Sequence, residues 1–280
     1  MVPKIFLNLE LEVDRMINTP LSLLTNYHKT ACLYFESIAI NQLQDRNMQA
    51  FATGIPNADF NVVISTELEI KDIHKNIFKV KRFFEKHNVP WSWIIDKSSL
   101  TPDLEECLEK QGLKYKGIFP SMFLDLEAFE TDPGIKKFDI RKVSGLTGLK
   151  EWIIPIKEGF GATEESTAMI VKRNAITKDC SLVKLQHYVI YHDNQPIASA
   201  TLSLSKEGVR LNNVATCLKF QRQGFASAVV AYALDNAKKV EHKYCFLNSS
   251  IKGKEVYRRL GFNDLSSHKT YVLAVDNKKS

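Results

Sequence analysis

The stretch Val209–Val240, VRLNNVATCLKFQRQGFASAVVAYALDNAKKV, decides how the rest of the chain is interpreted. Its first part, Val209–Cys217, mixes β-branched and apolar residues with two asparagines and predicts a strand. Its last part repeats apolar residues at helical spacing from Phe225 to Ala237, which predicts a long helix with one apolar face. Between the two lies a short loop, Gln221–Ala226, that leads into the helix.

This loop has the chemistry of an anion-binding site. The first turn of a helix carries backbone N–H groups without intrahelical partners, and the helix dipole adds positive potential there. Gly224 and Ala226 leave room for an anion to approach the backbone. The stretch therefore predicts a pyrophosphate cradle, although an ordinary strand–loop–helix connection would contain the same elements.

The segment that follows makes the pattern more specific. His242–Ser249 predicts another strand, and Lys254–Leu260 predicts a short helix closed by Gly-Phe. The ordered pair Gln-x-x-Gly-x-Ala and Tyr257-x-x-x-Gly-Phe, separated by a helix and a strand, resembles the GNAT superfamily of acyl-CoA-dependent N-acyltransferases. The run Leu-x-x-Ser-x-x-Gly-x-x-x-Tyr that ends at Tyr257 also resembles one subgroup's form of the second motif. The resemblance covers roughly Phe138–Leu273.

The resemblance implies that acetyl-CoA is the acyl donor. In the family the loop backbone holds the pyrophosphate, and the preceding strand edge pairs with the pantetheine arm like an added strand. Ser250 stands where many members carry an asparagine that contacts the cofactor, or it is only a helix-start residue. The implied cofactor-binding residues are Val214, Ala215, Thr216, Gln221, Arg222, Gln223, Gly224, Phe225, Ala226 and Ser250. Lys219 and Arg222 would add charge at the phosphates or remain solvated.

Tyr257 is implied to be the general acid that protonates the leaving thiolate. A phenol with a reference pKa near ~10 can donate to a thiolate whose thiol has a reference pKa near ~8.5. The alternative is a core aromatic on an amphipathic helix. No residue pattern identifies a nucleophile paired with His and Asp, so direct attack of the amine on the thioester is favoured over an acyl-enzyme.

The general base is left open by the sequence. Family members often place a glutamate on the strand before the loop, where this chain has Asn212 and Asn213. Glu158, Glu164 or a water chain remain possible bases. The histidines are dispersed, and those near the predicted hairpin, His187 and His192, are expected to be structural or exposed.

Composition predicts an ordinary globular protein in the cytoplasm. Of the 280 residues, 44% are hydrophobic and 25% are charged, and no secretory or membrane-spanning segment is visible. The net charge of +6 suits an anionic ligand such as coenzyme A but is too small and dispersed to imply nucleic acid. The five cysteines are scattered, which predicts reduced thiols with neither disulfides nor a metal site.

The first half repeats the element order of the second. Strand Phe60–Ile70, a helix after Asp72, strand Trp91–Asp96, helix Pro102–Gln111 and strand Ser121–Leu126 follow one another. The chain therefore reads as two tandem GNAT-like units of the α/β (α+β) class, each a mixed sheet with helices on both faces. The alternative is that this order is merely common in α/β proteins.

The two units are predicted to divide at the charged Pro-Gly linker Glu130–Lys137. Residues 1–132 would form a degenerate N-terminal GNAT-like domain, and residues 133–280 the catalytic domain. The first unit has no Gln-x-x-Gly-x-Ala before its helix. Counting back from Gly112 as from Gly261, the position equivalent to Tyr257 is Leu108. The first unit would therefore be a scaffold or a wall on the substrate side.

Beyond the linker, the elements before Val209 are predicted from their patterns. Phe138–Val143 should be a strand, Leu146–Ile156 a helix, Glu158–Gly161 a loop and Glu164–Asn174 a second helix. Two strands that flank an Asp-Asn turn are expected to form a hairpin leading into Val209.

The sequence thus predicts a GNAT N-acetyltransferase that moves an acetyl group from acetyl-CoA to a primary amine on a small molecule or peptide. A monomer or a homodimer would suit this role. A catalytically weak acyl-CoA-binding sensor or partner-binding module is the main alternative. Aminoacyl transfer from charged tRNA would require a stronger basic face.

Overall fold

A computed structural model of the chain describes residues 21–46, 48–66, 69–131, 137–176, 182–239 and 242–273. These residues form seven α-helices and one mixed sheet of eleven strands. The helices are α1 Leu21–Ile38, α2 Ile73–Glu85, α3 Pro102–Lys110, α4 Gly145–Phe160, α5 Glu164–Ile176, α6 Phe225–Ala237 and α7 Lys254–Arg259. The strands are β1 Asn41–Asp45, β2 Met48–Ala52, β3 Val62–Ser65, β4 Trp91–Asp96, β5 Lys114–Asp125, β6 Asp139–Lys142, β7 Lys184–His192, β8 Gln195–Ser205, β9 Gly208–Thr216, β10 Tyr244–Asn248 and β11 Asn263–Leu273.

The strand order shows that the two halves of the chain share one sheet. The order is β1-β2-β3-β4-β11-β5-β10-β9-β8-β7-β6. β3–β4 and β9–β10 are parallel pairs, and the other neighbouring strands are antiparallel. The last strand of the second half, β11, lies between β4 and β5 of the first half. In the same way β5, the last strand of the first half, lies between β11 and β10.

The predicted repeat of element order is confirmed. The first half runs β3-α2-β4-α3-β5, and the second half runs β9-α6-β10-α7-β11. A glycine follows the short helix in both, with φ of 85° at Gly112 and 92° at Gly261. The next side chain, Leu113 or Phe262, is buried in the core of its own half. Where the sheet divides into domains, at residue 132 or elsewhere, stays a prediction, and residues 132–136 of the linker lie outside the described part.

Helices cover both faces of the sheet, as predicted. On β7, Tyr188 and Ile190 belong to the cluster packed around α6, whereas Val189 between them packs with α4. Side chains alternate between faces along a strand, so α4 and α6 lie on opposite sides. On β2, Ala50 and Ala52 pack with α2, and Phe51 packs with α1. Helices α1, α4 and α5 share one face, and α2, α3, α6 and α7 cover the other.

Two predicted boundaries are wrong for identifiable reasons. The Glu158–Gly161 loop is helical up to Phe160, and Gly161 ends the helix with φ 65°. Gly159 inside that helix permits close packing, because a Cβ there would lie 3.3 Å from both Ala215 Cβ and Thr216 O. The strand predicted over Phe60–Ile70 is confined to Val62–Ser65, after a 3₁₀ turn.

One further strand differs from prediction in extent, and the predicted hairpin is present. Strand β5 begins at Lys114, well before the predicted Ser121. The hairpin is confirmed, with positive φ at both turn residues, Asp193 and Asn194. No helix in the described ranges combines the length and hydropathy needed to cross a membrane.

Candidate functional site

The centre of the candidate site is a gap between β9 and β10. These parallel strands pair only near their starts, Val209 with Cys245 and Arg210 with Phe246. Beyond that point they continue to Thr216 and Asn248 without pairing to each other. The corresponding strands of the first half, β3 and β4, pair along the whole of Val62–Ser65. Among the described strands, only the second half therefore opens in this way.

A β-bulge in β9 shapes the edge that faces this gap. Thr201 pairs with Asn212 and Ser199 pairs with Ala215, so β9 carries one more residue than β8 between these pairs. Asn213 in the bulge has φ 52°, a left-handed conformation that asparagine tolerates better than most residues. The bulge re-aims Val214–Thr216, the segment predicted to pair with the pantetheine arm.

The predicted phosphate loop lies between the end of β9 and the start of α6. Its backbone turns through Arg222 at φ 61° and Gly224 at φ 88°. Gln221 Nε2 donates to Thr216 O over 3.2 Å, and Gln223 Nε2 donates to Lys219 O over 3.0 Å, so both amides brace the loop.

The start of α6 offers free donors to an anion. Ala228 N–H donates to Gly224 O over 3.0 Å, so the N–H groups of the preceding turn have no intrahelical acceptor. A Cβ placed on Gly224 would have no atom of the described residues within 4 Å. The loop thus leaves open space in front of the helix N-terminus, which fits the pyrophosphate of coenzyme A.

Tyr257 and Ser250 lie together beyond the end of β10. A Cβ on Gly253 would be 3.1 Å from Ser250 Oγ and 3.6 Å from Tyr257 Cε2, so this glycine sits between the two side chains. Ser250 Oγ accepts the Gly253 N–H over 3.0 Å, in keeping with the helix-start role that the sequence left open. Tyr257 packs edge-on to Phe262, and burial raises the pKa of its hydroxyl above the usual 10.

Helix α1 of the first half lies across the gap on the other face of the sheet. Asn248 Nδ2 on β10 donates to Tyr27 OH over 2.7 Å, and Asn213 Nδ2 on β9 donates to Tyr34 OH over 3.0 Å. Tyr27 and Tyr34 are seven residues apart, so they point from the same side of α1. One helix therefore connects the two separating strands.

A cavity of about 450 Å³ lies beneath this helix. Both halves of the chain line it, the first with α1, β3 and β4 and the second with α4, α5, the middle of β9 and the end of β10. Much of its wall is apolar: Ala31, Phe35, Phe60, Val62, Ile64, Ile94, Phe119, Ile156, Phe160, Ile170 and Leu211. Its polar wall includes Tyr27, His28, Tyr34, Asp59, Asp96, Arg210, Asn212, Asn213, Asn248, Ser249, Ser250 and His268. Predicted residue Ser250 thus borders the cavity.

His28 and Asp96 form a pair in the cavity wall that the sequence did not predict. His28 Nε2 lies 3.8 Å from Asp96 Oδ2, and Ser266 Oγ donates to the same carboxylate oxygen over 3.1 Å. Burial lowers the pKa of His28 below its usual 6.5, Asp96 opposes that shift, and the charge of Arg210 adds to it. His28 is therefore a neutral imidazole at pH 7 beside a group that would stabilise its protonated form.

The other histidine of the cavity is unsuited to accept a proton. Burial and the charge of Arg210 lower the pKa of His268 to about 3. Its Nδ1 lies 3.0 Å from Asn248 Nδ2, a donor that pairs only with an unprotonated nitrogen.

The carboxylates that the sequence left as possible bases lie outside the cavity wall. Glu164 has an 84% exposed side chain and pairs with Lys157. Glu158 is exposed, and its carboxylate adds to burial in raising the pKa of the Cys217 thiol to about 12. His187 is structural, as expected, because it lies against Trp152 with Nδ1 2.9 Å from Thr201 Oγ1. His192 is exposed.

No group of three or more His, Cys, Asp or Glu side chains in the described part of the chain is arranged to hold a metal ion. The four cysteines within that part, Cys32, Cys107, Cys217 and Cys245, are free thiols.

Comparison with known families finds a match within the second half of the chain. A family model described as the acetyltransferase (GNAT) domain matches residues 157–272. This segment of the chain is similar to a GNAT acetyltransferase domain. The match contains every predicted site residue, from Val214 to Tyr257, and begins within α4.

Solved structures resemble the chain over most of its length. A GCN5-related N-acetyltransferase from Kribbella flavida aligns with a TM-score of 0.65 and 13% identity over 88% of this chain and 95% of its own. A conserved Staphylococcus epidermidis protein of unknown function aligns with a TM-score of 0.63 and 16% identity over 86% and 97%. A tandem GNAT protein from the clavulanic acid biosynthesis pathway aligns at 0.51 and 11% identity over 83% and 79%. The predicted fold class is thereby confirmed. Comparison with curated proteins finds no match.

Proposed function

We propose that this chain is an N-acetyltransferase that moves an acetyl group from acetyl-CoA to a primary amine by direct attack. The observation that carries the proposal is the gap between β9 and β10. On one face it adjoins the loop and helix start that suit a pyrophosphate, and on the other it adjoins the cavity beneath α1. The proposal places the donor on one side of this gap and the acceptor on the other.

The chain's own residues would hold acetyl-CoA along this path. The backbone of Gln221–Ala226 would bind the pyrophosphate, and the free edge of Val214–Thr216 would pair with the pantetheine arm. Ser250 borders the end of that path. When bound, acetyl-CoA supplies the thioester acetyl group.

Two residues from opposite sides of the gap would move the protons. On the acceptor side His28 would take a proton from the amine, and Asp96 would stabilise the imidazolium. On the donor side Tyr257, which burial keeps protonated at neutral pH, would give its hydroxyl proton to the departing thiolate. This assigns the base that the sequence left open to a residue of the first half.

Direct attack is supported by the state of the nearby thiols. Burial raises the pKa of both Cys217 and Cys245 to about 12. Thiols that remain protonated at neutral pH are poor nucleophiles. An acyl-enzyme on either cysteine is therefore disfavoured.

The proposal is tested by incubating the full chain with acetyl-CoA and a panel of amines, amino acids and peptides, with free thiol as the readout. We expect thiol release that depends on the added amine, and calorimetry with coenzyme A should give one site per chain. Coenzyme A binding without amine-dependent thiol release for any acceptor would favour the acyl-CoA-binding module instead. Absence of coenzyme A binding would contradict both functions.

A further inference from the structure

Arg210 places a buried positive charge in the wall of the cavity. Arg210 is only 5% exposed to solvent. Nη2 donates to Asn248 Oδ1, whereas Nε and Nη1 are buried with no hydrogen-bond partner among the described residues. None of the ion pairs formed within the described ranges includes Arg210. A buried guanidinium with unused donors and no counter-charge is costly, so its retention calls for an anionic partner from outside the chain.

The surroundings of Arg210 hold it in one orientation. Its Cζ lies 5.2 Å from the centroid of the Tyr27 ring, a cation–π distance. Asn248, which accepts from the guanidinium, also donates to Tyr27 OH, and Ser121 Oγ donates to that same hydroxyl over 2.8 Å. The guanidinium is thus fixed by α1 and β10 before any ligand arrives.

The charge of Arg210 reaches the cavity. Arg210 itself lines the wall, and its charge lowers the pKa of both His28 and His268, which also line it. The acidic groups of the wall already have basic neighbours, Asp96 beside His28 and Asp59 paired with Lys116. The rest of the wall is largely apolar, so an occupant needs an apolar body and an anionic group for Arg210.

From this geometry we infer that the acceptor is an amine that also carries a carboxylate, with the carboxylate bound by Arg210 and its apolar body in the cavity. Apolar amino acids belong to this class. The inference rests on the proposed acetyl transfer for the amine, whereas the carboxylate site is a separate property of the cavity. Planar guanidinium groups match carboxylates in geometry as well as in charge.

Binding is tested first with a pair of probes that contain no amine. Calorimetry of the full chain should detect 3-phenylpropanoate but not 3-phenylpropanamide, which has the same body without the charge. Arg210→Met, which keeps the length of the side chain, should weaken carboxylate binding by about 30-fold or more. Arg210→Lys should retain part of it, because the charge remains but the fork is lost. Arg141→Met, which removes an exposed arginine paired with Asp139 outside the cavity wall, is the matched control and should bind like the unchanged chain.

Equal binding of acid and amide, or carboxylate binding that survives Arg210→Met, would overturn the inference. We expect Arg210→Met to fold, since an apolar replacement relieves the cost of the buried charge. If Arg210→Met does not fold, two measurements still test the carboxylate site. They are the comparison of acid with amide in the unchanged chain and the binding of the acid by Arg210→Lys. Equal binding of the acid and the amide by the unchanged chain and by Arg210→Lys would then contradict the inference.

Transfer assays separate this inference from the proposed function. Acetylation of phenylalanine should exceed that of phenethylamine by about 30-fold or more in kcat/KM, mostly through KM, and Arg210→Met should remove the difference. If both amines are acetylated equally well, the function stands and the inference fails. If neither is acetylated but the carboxylate probe binds through Arg210, the inference on the site stands and the proposed function fails.

Discussion

At the scale of single residues, Tyr257 separates catalysis from cofactor binding. Tyr257→Phe keeps the ring that packs against Phe262 and removes only the hydroxyl proton assigned to the leaving thiolate. We expect kcat to fall by about 10²–10⁴-fold while the Kd for coenzyme A stays nearly unchanged. Stopped-assay kinetics and calorimetry on the same preparation measure the two quantities. A lower melting temperature together with lost coenzyme A binding would instead assign Tyr257 to the core.

The His28–Asp96 pair predicts a specific pH profile. His28 must be neutral to act as a base, so kcat/KM should fall as the pH drops through its pKa, which burial places below 6.5. The negative charge of Asp96 raises that pKa. Asp96→Asn should therefore move the acidic limb of the profile to lower pH, in addition to reducing the rate above the limb.

Asp59→Asn provides the control for this profile. Asp59 also lines the cavity, but its carboxylate pairs with Lys116 and is not among the groups that shift the pKa of His28. Its substitution should leave the acidic limb in place. A limb that is unmoved by Asp96→Asn, or that moves equally with Asp59→Asn, would show that His28 is not the titrating base.

The residues found in the cavity show what sequence could and could not predict at this scale. Gly224 and Tyr257 belong to motifs with fixed local spacing, so a single stretch of sequence was enough to select them. His28, Asp96 and Arg210 are far apart in the chain and meet only through the packing of α1 and the shared sheet. No local pattern marks them, and Arg210 looks in sequence like any charged residue on a strand.

At the scale of elements, the loop before α6 can be tested by comparing Gly224 with another glycine of positive φ. Gly224→Glu places bulk and negative charge in the open space before the helix start. We expect it to abolish the rise in melting temperature that coenzyme A gives the unchanged chain, because the ligand no longer binds the folded state. Gly145, at the start of α4, also has a positive φ of 65°. A Cβ added there would lie more than 4 Å from the surrounding atoms of the described residues. Gly145→Glu should cost similar stability yet keep the full response to coenzyme A.

A Gly224→Glu chain that folds and still responds to coenzyme A would remove the loop from the cofactor site. Loss of the response in Gly145→Glu as well would attribute the effect to strain rather than to the site.

The elements themselves were largely predictable because their periodicity is local. Ile73, Ile77, Val80 and Phe84 form a helical stripe in sequence, and all four are buried on α2. The error at Glu158–Gly161 has a tertiary cause. A glycine inside a helix appears in sequence as a loop signal, but here it lets α4 approach β9 closely. At such positions tertiary packing overrides the low helix propensity of glycine.

At the scale of the whole molecule, the exchange of final strands was beyond sequence reasoning. The repeat of elements implied two similar units, and each was expected to complete its own sheet. Instead β11 pairs with β4 and β5, and β5 pairs with β11 and β10. Pairings between strands so distant in sequence leave no periodic signal. The same exchange brings α1 over the gap of the second half, so the first half forms one wall of the cavity.

This topology predicts that the halves stay together after the chain is cut. A protease site inserted between residues 131 and 137 lies between β5 and β6, so cleavage there breaks none of the described strands. We expect the two fragments to co-elute in gel filtration at the position of the intact 31.9 kDa chain, and to keep the coenzyme A response. Separating them would expose the unpaired edges of β4, β5, β10 and β11 and uncover their apolar faces.

For the same reason, residues 133–280 expressed alone should be insoluble. Co-expression with residues 1–132 should restore their solubility. Two separate peaks after cleavage, or a soluble second half that binds coenzyme A alone, would contradict the shared sheet.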